Sequence, residues 1–447
     1  MFAFLLDTGV EKIEYAPMRI LYNILLFVAA IPGLLYFFLK MLITGKYRNS
    51  FIQKLGGRQG EILARLKEGK RVWIHAVSVG EVTAAAPIVA SLKIIRPDAQ
   101  IILSTSTETG QGMAKRLVKS ADAFIYFPLD FPWAVHRTLG LVQPDVFVLV
   151  ETELWPNFLA ACRKRGVSSL IVNGRISPRS FRKYQKTGFF WRRVLENVSA
   201  AGMISDIDAS RISDMGMETG KIKVLGNAKY DALAAMASPD LHDDIARRLN
   251  VRKNEKFLVA GSTHPGEEDM IIQVYRELLA YDPEFGLMIV PRHIERTGEV
   301  IRLLQQSGLN DWITVTEING GRARQKEKVI VVDVIGELFK VYALATIVYC
   351  GGSLVPKGGQ NILEAAAWGK VIFYGPSMDD FSQEAALLED AGAGIRVNSA
   401  RELSENILRV LSEPLDAERR GQRGQALVLA NRGAAERYAE MVARYLD

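Results

Sequence analysis

Residues 346–376 read TIVYCGGSLVPKGGQNILEAAAWGKVIFYGP, and their punctuation decides the fold. The apolar run 347–350 ends at Gly351-Gly352, a glycine-rich loop continues to Gly359, and Asn361 opens a helical segment that closes before Gly369. A second apolar run, 371–374, stops at Gly375-Pro376. Two short apolar runs flanking one helix make a strand, loop, helix, strand unit of the parallel-sheet kind. Glycines let backbone N–H groups approach a ligand closely, and a helix start presents unpaired donors and partial positive charge. The loop therefore suits an anionic phosphate, with Lys357 inside it. Asn361 and Glu364 stand three apart, as in a capping box, so Glu364 reads equally as a helix-start acid.

The whole string resembles the nucleotide-binding segment of the Kdo transferases, membrane-bound glycosyltransferases that move 3-deoxy-D-manno-octulosonic acid (Kdo) from CMP-Kdo to the lipid A precursor. Longer strings carry the same resemblance elsewhere: HAVSVGEVTAA from His75, ETELWPN from Glu151 and GNAKYD from Gly226. It covers almost the whole chain. It implies an α/β fold of the GT-B type, with two doubly wound Rossmann-like domains facing a central cleft and an N-terminal membrane-anchoring helix. The chain departs from the family at Ile294, where relatives carry proline, and in the acidic residues ahead of the anchor.

With 447 residues the chain is too long for one ordinary core, and its apolar and charged fractions are those of globular proteins. The formal net charge of +6 is modest but uneven. Lys40, Lys46, Arg48, Lys54 and Arg58 precede the next acid, Glu61, and such a collar attracts anionic headgroups. No nucleic-acid module accompanies it, so nucleic acid is not an expected partner. Cys162 and Cys350 lie far apart inside apolar segments, as buried thiols of a reducing compartment do.

Residues 20–39 are apolar apart from Asn23, with Pro32-Gly33 in the middle, and that length matches a bilayer core. Asp7, Glu11 and Glu14 ahead of it argue against a cleaved signal peptide. A buried soluble helix is the competing reading; the expectation is an anchor that spans the inner membrane or dips into one leaflet, with the remaining chain cytoplasmic. Apolar runs at 72–76, 101–104, 124–128, 146–150, 170–173, 201–205 and 223–225 then alternate with helices. A second series runs through 257–260, 287–290, 329–332, 347–350, 371–373 and 394–397. That alternation predicts open parallel sheets with helices on both faces. Expected divisions are an anchor (1–45), an acceptor-binding domain (46–238) and a CMP-sugar-binding domain (239–447). A closing helical stretch spans 426–445, and the last helix is free to pack back on the first domain.

Glu81 stands at a strand-to-helix turn where Gly80 permits an unusual backbone angle. An acid there also complements the helix dipole. Glu151 and Glu153 follow four apolar residues, which is costly unless they are paired or used, or unless they cap the helix near Pro156. By resemblance, Glu81 takes the position of the catalytic base, Glu151 that of a transition-state stabiliser, and Lys229 that of its cationic counterpart. Pro291 and Arg292, then Gly336, Glu337 and Leu338, then Asn361, Ile362, Leu363 and Glu364 match the segments that hold the CMP portion. Residues alone add that GSTHPGEE (261–268) opens a helix after a strand, and that an arginine at a strand's carboxyl end can fork onto phosphate. Asp206-Ile207-Asp208 is too short a match to indicate a metal, and no cofactor is expected.

The reaction implied is an inverting, metal-independent transfer of Kdo from CMP-Kdo to the lipid A precursor, with Glu81 removing the acceptor proton. Another transferase of this fold using a UDP-sugar, and a non-catalytic membrane-tethered nucleotide-binding module, are the alternatives. An oxidoreductase is excluded by the absence of G-x-G-x-x-G with its downstream acid.

Overall fold

The computed structural model describes residues 18–33, 48–57, 59–64 and 66–447. The chain divides into two compact units, Met1–Ala232 with Arg432–Asp447, and Leu233–Asn431.

The first unit is built on seven strands: β1 (Arg71–His75), β2 (Gln100–Thr105), β3 (Ala123–Tyr126), β4 (Val146–Val150), β5 (Ser168–Gly174), β6 (Ala200–Met203) and β7 (Ile222–Val224). Their order is β3-β2-β1-β4-β5-β6-β7, and the pairings are parallel, Val72 standing opposite both Ile101 and Val146. β4 is buried at every position, which is why its sequence shows no alternation. The chain winds outward from β1 to β3 and returns to β4 beside β1. That reversal places a ligand crevice at the carboxyl ends of β1 and β4. The helix Val79–Ile95 leaves β1 there, and the terminal helix Ala434–Ala443 packs on it. Tyr438 of that terminal helix is fully buried against Gly202 of β6 and donates its hydroxyl to the Gly226 carbonyl at 2.7 Å. The expected single stretch 426–445 is instead two helices, Pro414–Ala430 and Ala434–Ala443, because Gly433 sits at φ 90° between them.

The second unit repeats the plan with β8 (Phe257–Thr263), β9 (Gly286–Pro291), β10 (Trp312–Thr314), β11 (Val329–Val331), β12 (Ile347–Cys350), β13 (Val371–Tyr374) and β14 (Gly394–Arg396). The order is β10-β11-β9-β8-β12-β13-β14, so the reversal falls between β8 and β12. β10 is absent from the expected series; three residues at a sheet edge carry no readable pattern.

A helix over 18–33 lies on the first unit. The Tyr22 hydroxyl donates to Asp130 at 2.9 Å, the Asn157 side chain donates to Asn23 at 2.7 Å, and Phe27 stacks against Trp133. Among the described residues no helix is long and apolar enough to cross a membrane. The rest of the expected anchor, 34–39, lies outside the described residues, as do Asp7, Glu11, Glu14, Lys40, Lys46 and Arg58.

Candidate functional site

β1 ends at His75, and Ser78, in extended backbone, caps the helix that follows. The Glu81 carboxylate folds back to accept from the Val77 amide at 2.7 Å and the Ser78 hydroxyl at 3.0 Å. Gly80 takes an ordinary helical conformation rather than the unusual angle expected of it; the carboxylate is aimed by these two bonds. Glu81 is only 6% exposed. Burial, then the neighbouring Glu151 and Glu153 carboxylates, push its carboxyl up to about 7 against the Val77 and Ser78 bonds.

Glu151 leaves β4 at φ 62°, a left-handed conformation uncommon for a residue with a full side chain, so the strand stops ahead of the acids. Its carboxylate accepts from Lys229 Nζ at 2.8 Å. Burial, then Glu151, raise Glu153 as well. The acids do not cap the helix Pro156–Lys164. That task falls to Asp130, which accepts from the Asn157 and Phe158 amides at 2.9 and 2.8 Å. Burial pushes Asp130 up to about 7. It stands in a loop, and nothing in PLDFPW announces it.

The structure thus brings Glu81, Glu151 and Lys229 to one place, the reversal point of the first sheet. A carboxyl poised near neutrality beside an ion pair can take a proton from a hydroxyl.

In the second unit the loops after β8, β9 and β12 meet. Gly351 is essential to the contact: a Cβ there would lie 2.5 Å from the Ser262 carbonyl oxygen. Arg292 and His293 are exposed after β9, and Lys357 is exposed in the glycine-rich loop. Burial, then His293, Lys357 and Arg292, hold His264 below the usual imidazole range against the pull of Glu267. Four basic groups therefore surround one spot. The buried Thr263 Oγ1 and His264 Nε2 have no hydrogen-bond partner among the described residues.

The glycine-rich loop does not present its first amides outward. Those of Gly352, Ser353 and Leu354 donate to Glu267, a fully buried acid at the start of the helix Glu267–Tyr281. No hydrogen bond among the described residues occupies the amides of Gln360, Asn361 and Ile362. Asn361 Oδ1 accepts from the Leu363 amide at 3.3 Å, and its Nδ2 donates to Glu364 at 3.1 Å. Gly336 turns at φ 86°, and Glu337 gives its carboxylate to Arg248 and Lys340. Leu338 packs beside Gly261 at the end of β8. Pro291 ends β9, and the Arg292 amide donates to the Thr263 carbonyl at 3.0 Å.

Asp208 is an internal cap, accepting from the Ile176 amide and the Ser205 hydroxyl. Among the described residues no three His, Cys, Asp or Glu side chains are grouped to share a metal ion.

A family model described as "3-Deoxy-D-manno-octulosonic-acid transferase (kdotransferase)" matches residues 50–232. The chain is 31% identical over 382 residues to the 3-deoxy-D-manno-octulosonic acid transferase of Haemophilus influenzae, covering 84% of this chain and 87% of that protein. It is 30% identical over 383 residues to the same-named protein of Bordetella pertussis, covering 84% and 87%. Among solved structures, a glycosyltransferase from Rickettsia africae matches with a TM-score of 0.57 at 15% identity, covering 85% of this chain and 98% of that one, a likeness of fold.

Proposed function

The chain belongs to the 3-deoxy-D-manno-octulosonic acid transferase family, and from that premise we propose that it moves Kdo from CMP-Kdo to a hydroxyl of the lipid A precursor. The observation that carries the chemistry is Glu81: buried, hydrogen-bonded into place, and pushed up to about 7 by burial and by Glu151 and Glu153. Its carboxylate accepts the proton of an acceptor hydroxyl as that oxygen bonds to the anomeric carbon of Kdo. The bond from that carbon to the CMP phosphate oxygen breaks, and CMP leaves with the electron pair. The anomeric centre inverts because attack and departure are on opposite faces. Lys229 offsets the charge of Glu151 beside the base.

Arg292 and Lys357 supply positive charge for the CMP phosphate, His264 and His293 offer ring nitrogens beside them, and the amides of Gln360–Ile362 supply donors. Pro291, Gly336 and Leu338 shape the floor by backbone and packing. Glu337 fixes its loop through Arg248 and Lys340, and Glu364, which accepts from Asn361, meets the ribose hydroxyls.

Membrane attachment is part of the proposal. Ile20, Leu21, Ile24, Leu25, Val28 and Ile31 are all more than half exposed on the helix 18–33, whose other side is hydrogen-bonded to the first unit. A helix with one apolar face turned outward lies on a bilayer surface. The placement is the cytoplasmic face of the inner membrane, where the acceptor resides.

The test uses detergent-solubilised protein with CMP-Kdo and the tetraacylated glucosamine disaccharide phosphate, reading CMP release and lipid mass for wild type and Glu81→Gln. Kdo addition by wild type alone is expected, and the mass counts the sugars added. A folded wild type inert with CMP-Kdo but active with a UDP-sugar would overturn the donor assignment.

A further inference from the structure

The two acids that open the helix Glu267–Tyr281 grip two different loops. Glu267 is fully buried and accepts five hydrogen bonds on its two oxygens. The Tyr349 hydroxyl at 2.6 Å and the Ser353 and Leu354 amides at 3.1 Å meet Oε1; the Gly352 amide at 2.7 Å and the His264 amide at 2.9 Å meet Oε2. Glu268, also fully buried, takes Arg296 on both oxygens at 2.7 and 3.3 Å, four residues beyond Arg292. One helix start therefore fixes the loop that follows β12 and the segment that follows β9. Ser353 extends the tie to β13, because its hydroxyl accepts from the Gly375 amide at 2.8 Å. A helix-capping acid needs only the donors of its own first turn. Four of the five donors to Glu267 come from residues more than eighty positions away.

We propose that Glu267 is the positioning residue of the donor loop: its carboxylate holds the turn at Gly352–Leu354 so that Lys357 and the amides of Gln360–Ile362 converge on the spot that Arg292 and His264 face. This rests on the reading that these loops hold the donor nucleotide. No neutral side chain can replace the group. Glutamine has the same shape, yet one of its two terminal atoms is an NH2, which turns two or three accepted hydrogen bonds into donor-donor contacts. The loop then relaxes outward, and affinity for the nucleotide falls while the chemistry of the first unit stays untouched.

The test compares Glu267→Gln, Tyr349→Phe and Glu255→Gln in the full-length protein. Glu255 pairs with the buried Arg324 just ahead of β8, at the opposite end of the strands, and serves as a control for lost stability alone. CMP affinity is read by calorimetry, kcat and KM by turnover, and loop order by amide hydrogen exchange across 351–362. Glu267→Gln is expected to weaken CMP about tenfold or more, raise the KM for CMP-Kdo in proportion, leave kcat within about threefold, and speed exchange in 351–362. Tyr349→Phe, which removes one donor and leaves the carboxylate, gives the same changes at a few-fold scale and serves where the first variant does not fold. Glu255→Gln leaves CMP affinity and loop exchange as in wild type. Wild-type CMP affinity in folded Glu267→Gln, or equal losses in Glu255→Gln, overturns the proposal. A wild type that ignores CMP and binds UMP overturns the Kdo reading alone; the same three variants titrated with UMP then decide the role of Glu267.

Discussion

Glu81 is held where it is useful and where it is unstable. Its carboxyl titrates near 7 in the fold against an ordinary 4.5. Below pH 4.5 both the folded and unfolded forms are protonated and the site costs nothing. As pH rises from 4.5 to 7 the unfolded chain ionises first, so the folded state loses stability across that window, by about 3 kcal/mol, and the loss is constant above it. Two outcomes follow for Glu81→Gln. Transfer falls by about 10²- to 10⁴-fold, the usual worth of a general base. At pH 8 the variant melts higher than wild type, and the difference vanishes below pH 4.5; thermal unfolding at the two pH values checks it. In wild type kcat/KM climbs with pH through about 7. Lys229→Ala leaves the Glu151 charge uncompensated, and the resulting repulsion moves that limb to higher pH. A limb that stays in place separates Lys229 from the base.

The elements that carry these residues show what a sequence discloses. Glu81 rides on the helix Val79–Ile95, and the terminal helix that packs on it is held to the sheet by Tyr438. The Tyr438 ring lies against Gly202, where a Cβ would meet it at 2.5 Å. Tyr438→Ala is expected to cost about 3–5 kcal/mol in denaturant unfolding, as truncation of a buried aromatic does. Gly202→Ala, which overpacks the same contact, costs about 1–3 kcal/mol alone and less in the Tyr438→Ala background. Additive losses would mean the two do not share the contact. β1, β4, β8 and β12 were legible because strands buried on both faces read as apolar runs bounded by glycine or a charged residue. Glu81 and the Glu151–Lys229 pair were legible only through the longer motifs around them. Asp130 and Glu267 were not. Their roles are written in distant backbone amides, those of another helix's first turn for Asp130 and those of a loop for Glu267, and an acid ahead of a helix looks the same whether it caps that helix, caps another or grips a loop eighty residues later. The glycine-rich loop was legible only in part for the same reason: the amides of Gly352, Ser353 and Leu354 turn inward to Glu267.

At the scale of the molecule, surface composition is divided by task. The helix 18–33 exposes aliphatic side chains, and residues 175–193 of the same unit carry seven Lys or Arg and no Asp or Glu. Phe190 from that basic segment contacts Tyr22 at 5.8 Å between ring centroids, so the apolar and cationic surfaces adjoin. Apolar burial in the headgroup region and attraction to anionic lipid act together in interfacial binding, and only the second is screened by salt. Flotation with phosphatidylglycerol-containing vesicles separates them. Wild type floats at low salt, and raising the ionic strength weakens but does not abolish the association. Ile24→Asp combined with Val28→Asp, at positions 53% and 61% exposed, places two charges on the outward face without touching Tyr22 or Asn23. This double variant is expected to lose flotation while its turnover on detergent-dispersed acceptor stays within about twofold of wild type. Loss of both would show that the helix supports the catalytic unit itself, through the Asp130 and Asn157 contacts, and retention of flotation would move the membrane-binding surface off this helix.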